Sequence, residues 1–149
     1  MALAEKIRAD MQQALRNREQ DRLSVLRLML SAFNYYEIEK QQKIDDNGVI
    51  EVLSREAKKR RESIEAFEKG NRQDLVDKEK AELALILTYM PQQMTPEEIS
   101  AAAMKVIQQI GAKSPADKGK VMSQLVPLTR GKAEGKVVSD IVNDLLSKL

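Results

Sequence analysis

The sequence predicts an all-α protein. Three observations carry this: apolar residues recur at helical spacing, cap and C-terminal glycine signals bracket those runs, and no stretch reads convincingly as a strand. The chain has 149 residues, of which 42% are hydrophobic and 32% charged. Aromatic residues make up only 3% and tryptophan is absent, so the core must be aliphatic. Residues 1–90 hold two glycines and no proline, whereas residues 91–149 hold four glycines and all four prolines. Long helices are expected in the first part and shorter, tightly turned ones in the second. Pro91 marks the boundary, because proline ends a helix at the residue before it. The expected domains are 1–90, with four helices, and 91–149, with three.

The first helix is expected from Leu3, Ile7, Met11 and Leu15, which recur every four residues. The polar run 16–21 contains the break. Leu23, Leu26, Leu30 and Phe33 form the stripe of a second helix that reaches about Lys40. Residues 44–48 read as a loop, since Asp45-Asp46-Asn47-Gly48 is turn chemistry. Val49, Leu53, Ala57, Ile64 and Phe67 mark a third helix, with Gly70 expected as its left-handed closing residue. Leu75, Glu79, Leu83, Ile86 and Met90 mark a fourth, ending at Pro91.

Thr95-Pro96-Glu97-Glu98 reads as an N-cap, a proline in the first turn and a capping-box glutamate. Met94 and Ile99 occupy the staple positions of that helix, which should run to Ile110 and close on Gly111. Ser114-Pro115-Ala116-Asp117 repeats the cap logic. The next helix carries Val121, Met122 and Leu125 and should finish near Pro127. Residues 128–135 read as a glycine-bracketed loop. Val137 or Val138, Ile141, Leu145 and Leu149 mark the last helix.

Composition excludes much chemistry. Histidine and cysteine are both absent. There is then no imidazole base, no thiolate nucleophile, no disulfide and no His- or Cys-built metal site. No catalytic residue, metal ligand or cofactor is expected. The carboxylate pairs Asp45/Asp46, Glu97/Glu98 and Asp140/Asp144 are explained by caps, loops or solvated faces. Net charge is only +2. No signal-peptide pattern or membrane span is seen, the most apolar stretch being residues 84–90, and a cytoplasmic location is expected with no membrane partner.

Two basic clusters stand out. Lys58-Lys59-Arg60-Arg61 points almost all round a helix, and acids lie four residues away from most of it. It reads as a solvated face laced with ion pairs. The stretch 117–136 is different. It carries a net +3, with Lys118, Lys120, Arg130, Lys132 and Lys136 interleaved with Gly119, Gly131 and Gly135. Glycine lets backbone N–H groups approach a phosphate, and the lysines supply charge. Residues 131–136 also lead into a helix N-terminus, which favours anions. Val137 follows Lys136, so this is not a Walker A loop. The same glycines also suit a plain helix–helix connection.

The run of residues 117–146 (DKGKVMSQLVPLTRGKAEGKVVSDIVNDLL) resembles the GatB/YqeY family. So do the helix Ser54-Arg55-Glu56-Ala57-Lys58-Lys59-Arg60-Arg61-Glu62-Ser63-Ile64-Glu65-Ala66-Phe67, the segment Lys78-Glu79-Lys80-Ala81-Glu82, and the Tyr89-Met90-Pro91 junction. The resemblance covers essentially the whole chain. Ser123-Gln124 stands where family members often carry a glycine after the methionine. The resemblance implies an all-helical chain with an N-terminal bundle and a smaller C-terminal three-helix domain. It implies kinship with the tail of the B subunit of the glutamine-dependent Asp/Glu-tRNA amidotransferase, where that tail contacts the tRNA elbow. Gly119, Lys120, Gly131, Lys132, Gly135 and Lys136 are the matching candidates for RNA contact. Lys118 and Arg130 are added on charge alone.

The resemblance thus implies tRNA as the partner, within reach of an aminoacyl-tRNA synthetase or amidotransferase complex. The subunit's activating site and ammonia route lie in another domain, so a carbon–nitrogen ligase label would reach this chain by shared domain rather than by its own chemistry. Two alternatives stand beside an RNA-binding accessory protein: an amidotransferase component, and a helical adaptor that binds protein without RNA.

Overall fold

The computed structural model describes residues 2–149. Among these residues it contains seven α-helices, one 3-10 turn and no strand, so the chain is all-α. It divides into two compact units at Met90/Pro91.

In the first unit, α1 (Leu3–Arg16) and α2 (Gln20–Lys40) form an antiparallel pair, and α3 (Asp46–Lys69) and α4 (Gln73–Leu87) form a longer hairpin. Ile7, Leu26, Met29, Phe33, Leu53 and Ile86 are essentially inaccessible at its centre. The buried stripe of α1 is Ala4, Ile7 and Ala14 with Met11 half-buried, while Leu15 is 47% exposed. A spacing of four advances about 400° and so drifts about 40° at each step. Over three steps that carries Leu15 off the face that Ala14 occupies.

The α1–α2 break sits at Arg18, whose φ is 56°. Gln41, at φ 54°, closes α2.

The aspartates expected in a loop instead start a helix. Asp45 is the N-cap of α3, and its Oδ1 accepts from Gly48 N–H at 2.8 Å. Asp46 Oδ1 accepts from Leu3 N–H at 2.8 Å and so serves the start of α1. Turn chemistry and cap chemistry use the same residues, because in both an Asx oxygen satisfies a nearby N–H. Gly48 is buried in this first turn. A Cβ there would lie 2.8 Å from Ile44 Cγ1 and 3.0 Å from Tyr36 Cε1.

Gly70 is not the left-handed residue: its φ is −86°, and Asn71 takes that conformation at φ 56°. Asparagine is among the residues that tolerate it. α4 stops at Leu87, and residues 88–90 continue as a looser turn.

On α3, Glu51–Arg55 (3.2 Å), Glu56–Arg60 (2.8 Å) and Glu65–Lys69 (3.5 Å) form the expected i,i+4 pairs. Arg60 is the exception to a solvated face. It is buried, with Nε 3.4 Å from Glu82 Oε2, and so links α3 to α4.

At the end of this unit the Tyr89 hydroxyl donates to Asp10 Oδ2 at 2.5 Å. Arg22 lies 4.0 Å from the same carboxylate oxygen and 3.2 Å from Glu19. Lys6 Nζ stands 5.8 Å from the Tyr89 ring centroid.

The second unit comprises α5 (Pro96–Ile110), the 3-10 turn Pro115–Asp117, α6 (Lys118–Thr129) and α7 (Gly135–Ser147). Thr95 Oγ1 caps α5 by accepting from Glu98 N–H at 3.1 Å, and Gly111 closes the helix at φ 69°. Ile99, Val106, Val121, Leu125, Val142 and Leu146 lie at the core. α6 ends close to Pro127, running through it to Thr129. The proline has no N–H to reach the Ser123 carbonyl, so one bond of the last turns is missing while the helix runs two residues further. The core stripe of α7 is Val138, one of the two valines expected, with Val142 and Leu146, each one residue beyond the expected Ile141 and Leu145; Val137, Ile141 and Leu145 are half-buried beside it and Leu149 is exposed.

Two outcomes follow for the first unit. Asp45→Ala removes a side-chain cap and lowers the unfolding free energy by about 1 kcal/mol, read as a lower urea midpoint at unchanged slope. The Tyr89 phenol is pushed up to about 12, first by burial and then by its hydrogen bond to Asp10, against the opposing Arg22. Between pH 10 and about 12 the unfolded chain therefore loses this proton before the folded chain does. The stabilisation is complete below pH 10 and fades toward pH 12. The stability difference between wild type and Tyr89→Phe should shrink over that interval; a constant difference would exclude this origin.

Candidate functional site

The connection from α6 to α7 is built around Gly131. Its φ is 77°, a conformation costly for a residue with a Cβ, and it is buried. The turn is held from both sides. Lys132 N–H and Ala133 N–H donate to Thr129 C=O at 2.9 and 3.0 Å. Gln93 Nε2 donates to Gly131 C=O at 2.9 Å and to Pro91 C=O at 2.9 Å. Met94 N–H donates to Lys132 C=O at 2.8 Å. The segment before α5 is thus fastened along the loop.

This anchoring fixes the backbone while leaving the charges outside. Arg130 and Lys132, on either side of the buried glycine, are both exposed. Gly135 and Lys136 form the exposed start of α7, and Glu134 at its N-cap makes no side-chain cap bond. Nothing lies within 4 Å of where a Gly135 Cβ would stand, so that side of the glycine faces open space.

The other candidates lie at the start of α6. Gly119 also has open space at its Cβ position. Lys120 is exposed and 3.9 Å from Asp117 Oδ1. Lys118 is half-buried, and its Nζ donates to Ser139 Oγ at 2.8 Å, which ties the start of α6 to α7. Ser114 does not repeat the threonine cap, since its side chain makes no cap bond, and Asp117 has a different task. It turns back to accept from Lys113 N–H at 2.9 Å. That bond holds its carboxyl below the usual range, and Lys120 adds to the effect.

The eight candidates therefore form two groups: Arg130, Gly131, Lys132, Gly135 and Lys136 around the loop, and Lys118, Gly119 and Lys120 at the start of α6. Arg130, Lys132 and Lys136 make no ion pair with any described residue, which leaves them available to phosphate. Gln93 was not singled out by sequence. Its signal was faint: a polar side chain between Pro91 and the staple methionine with no cap or helix role of its own. Among the described residues no group of three acidic side chains could hold a metal, and no helix is long and apolar enough to cross a membrane.

Comparison with known proteins gives the chain a family. An uncharacterised protein of Schizosaccharomyces pombe is 30% identical over 58% of this chain and 70% of its own length. The protein named altered inheritance of mitochondria protein 41, mitochondrial, is 31% identical in Vanderwaltozyma polyspora, over 72% of this chain and 60% of that one. The protein of the same name in Lachancea thermotolerans is 28% identical over 74% and 60%. The chain thus spans less than two thirds of the length of these two mitochondrial relatives. They also overturn the cytoplasmic location expected from the sequence, since they carry a mitochondrial designation. The physical reason is plain: lack of cysteine and of a spanning helix says nothing about compartment. A family model described as Yqey-like protein matches residues 4–146, and the chain belongs to that family.

Proposed function

We propose that this chain is a tRNA-binding accessory protein, related to the tail of the amidotransferase B subunit, that binds by shape and phosphate contacts. The observation that carries the reading is the Gly131 turn: a buried, left-handed glycine fastened by Gln93 and Met94, with exposed Arg130 and Lys132 on either side. A loop whose backbone is already fixed loses little entropy when it meets a phosphate ridge. Lys136 and the exposed first turn of α7 extend the surface.

The aromatic content argues for the same mode. Two Phe, three Tyr and no Trp leave few rings for stacking unpaired bases. Structured RNA read through backbone and 2′-hydroxyls is the better fit. Catalysis is not part of this reading, because the surface offers cations and backbone N–H groups but no nucleophile–base pair.

Two variants separate charge from geometry. Lys120→Ala combined with Lys132→Ala should weaken tRNA binding and reduce the slope of log affinity against log salt by about 2. An unchanged affinity and slope would refute the proposal. Gly131→Ala keeps every charge but opposes the left-handed turn at a cost of about 1–2 kcal/mol. It should lower the thermal midpoint and weaken tRNA binding several-fold while leaving the salt slope intact, both measured by titration at several salt concentrations.

A further inference from the structure

Helix α2 has two apolar sides. The inner side buries Leu23, Leu26, Met29 and Phe33. The opposite side carries Leu28, Tyr35 and Ile38, which are 54%, 74% and 74% exposed. Three large apolar side chains grouped on an otherwise polar, exposed face are the usual mark of an interaction surface. Between the large residues stands a small uncharged one, Ser31, and the stripe ends in Arg27 and Glu39.

The stripe is complementary to itself. In an antiparallel pair centred at the level of Phe33, residues equally far on either side of 33 come to the same height. Leu28 and Ile38 are each five residues away, Ser31 and Tyr35 two, and Arg27 and Glu39 six. At about 100° per residue, Leu28 and Tyr35 lean to one edge of the stripe and Ile38 and Ser31 to the other. Each Leu28 then enters beside the second copy's Ile38 instead of on top of it. Each bulky Tyr35 falls beside the second copy's small Ser31. Each end of the contact carries one Arg27 and one Glu39, so no like charges are brought level.

We propose that this face of α2 is where a second copy of the chain docks, as an antiparallel pair with two-fold symmetry at the level of Phe33. The stripe from Leu28 to Ile38 is about 15 Å long. That is short for a permanent interface, so the dimer is a reversible one in the micromolar range.

Sedimentation equilibrium of the full chain tests this directly. It should show a monomer–dimer equilibrium, and Ile38→Lys should raise the dissociation constant at least tenfold while the circular dichroism of the variant stays helical. Register is tested separately, because the chain contains no cysteine. Ser31→Cys and Tyr35→Cys chains, mixed and oxidised, should form the mixed disulfide in excess over either self-disulfide, since only that pair lies at one height within disulfide reach. A chain that stays monomeric up to about 1 mM, where even weak dimers form, would overturn the proposal and leave the stripe to a different protein partner. Dimerisation undiminished in Ile38→Lys, or no excess of the mixed disulfide, would overturn it too.

Discussion

One turn governs how the second unit presents its charge. The chain must pass from α6 to α7 within residues 130–134 and does so through a left-handed Gly131 sealed under its neighbours. A buried carbonyl at such a turn needs a donor, and the Gln93 side chain supplies it. Met94 N–H does the same for Lys132. With its backbone groups satisfied from within, the loop can hold Arg130 and Lys132 outward at fixed spacing. The segment 91–94 has two roles: it leads into the capped helix α5 and it braces the loop.

The first unit is organised by side chains that join distant parts of the chain. Asp45 and Asp46 are adjacent, yet one caps α3 and the other serves the start of α1. The Tyr89–Asp10 bond closes the end of α4 onto α1, with Arg22 of α2 beside it. Arg60 does the equivalent between α3 and α4 through Glu82. These hydrogen bonds and ion pairs supply direction to an aliphatic core, whose contacts are strong in sum but non-directional.

Helix number, order and the α5 cap were legible in the sequence because they are local. Thr95, Pro96 and Glu98 act within one turn, and Gly111 closes the same helix as its position suggests. Phase and termination were less legible. On α1 an even four-residue spacing drifts off the face, so Ala14 and not Leu15 holds the buried position; on α7 the spacing of four holds, but in the phase set by Val138, so Val142 and Leu146 are buried and Ile141 and Leu145 lie beside them. Gly70 and Asn71 both suit a left-handed turn, and which one takes it depends on how the hairpin closes. The long-range partners, Leu3 with Asp46, Arg60 with Glu82 and Gly131 with Gln93, have no sequence signature. In the candidate site the basic residues and glycines were visible, but the strut that fixes them was not.

The binding reading rests on the cations meeting RNA where the backbone is fixed. The most direct measurement is a backbone amide NMR titration of the chain with tRNA. The account predicts shifts concentrated at Gly119 and Lys120, through Arg130–Ala133, and at Gly135 and Lys136, lost together as salt is raised. Perturbations absent from residues 117–136, or confined to residues 2–90, would contradict it.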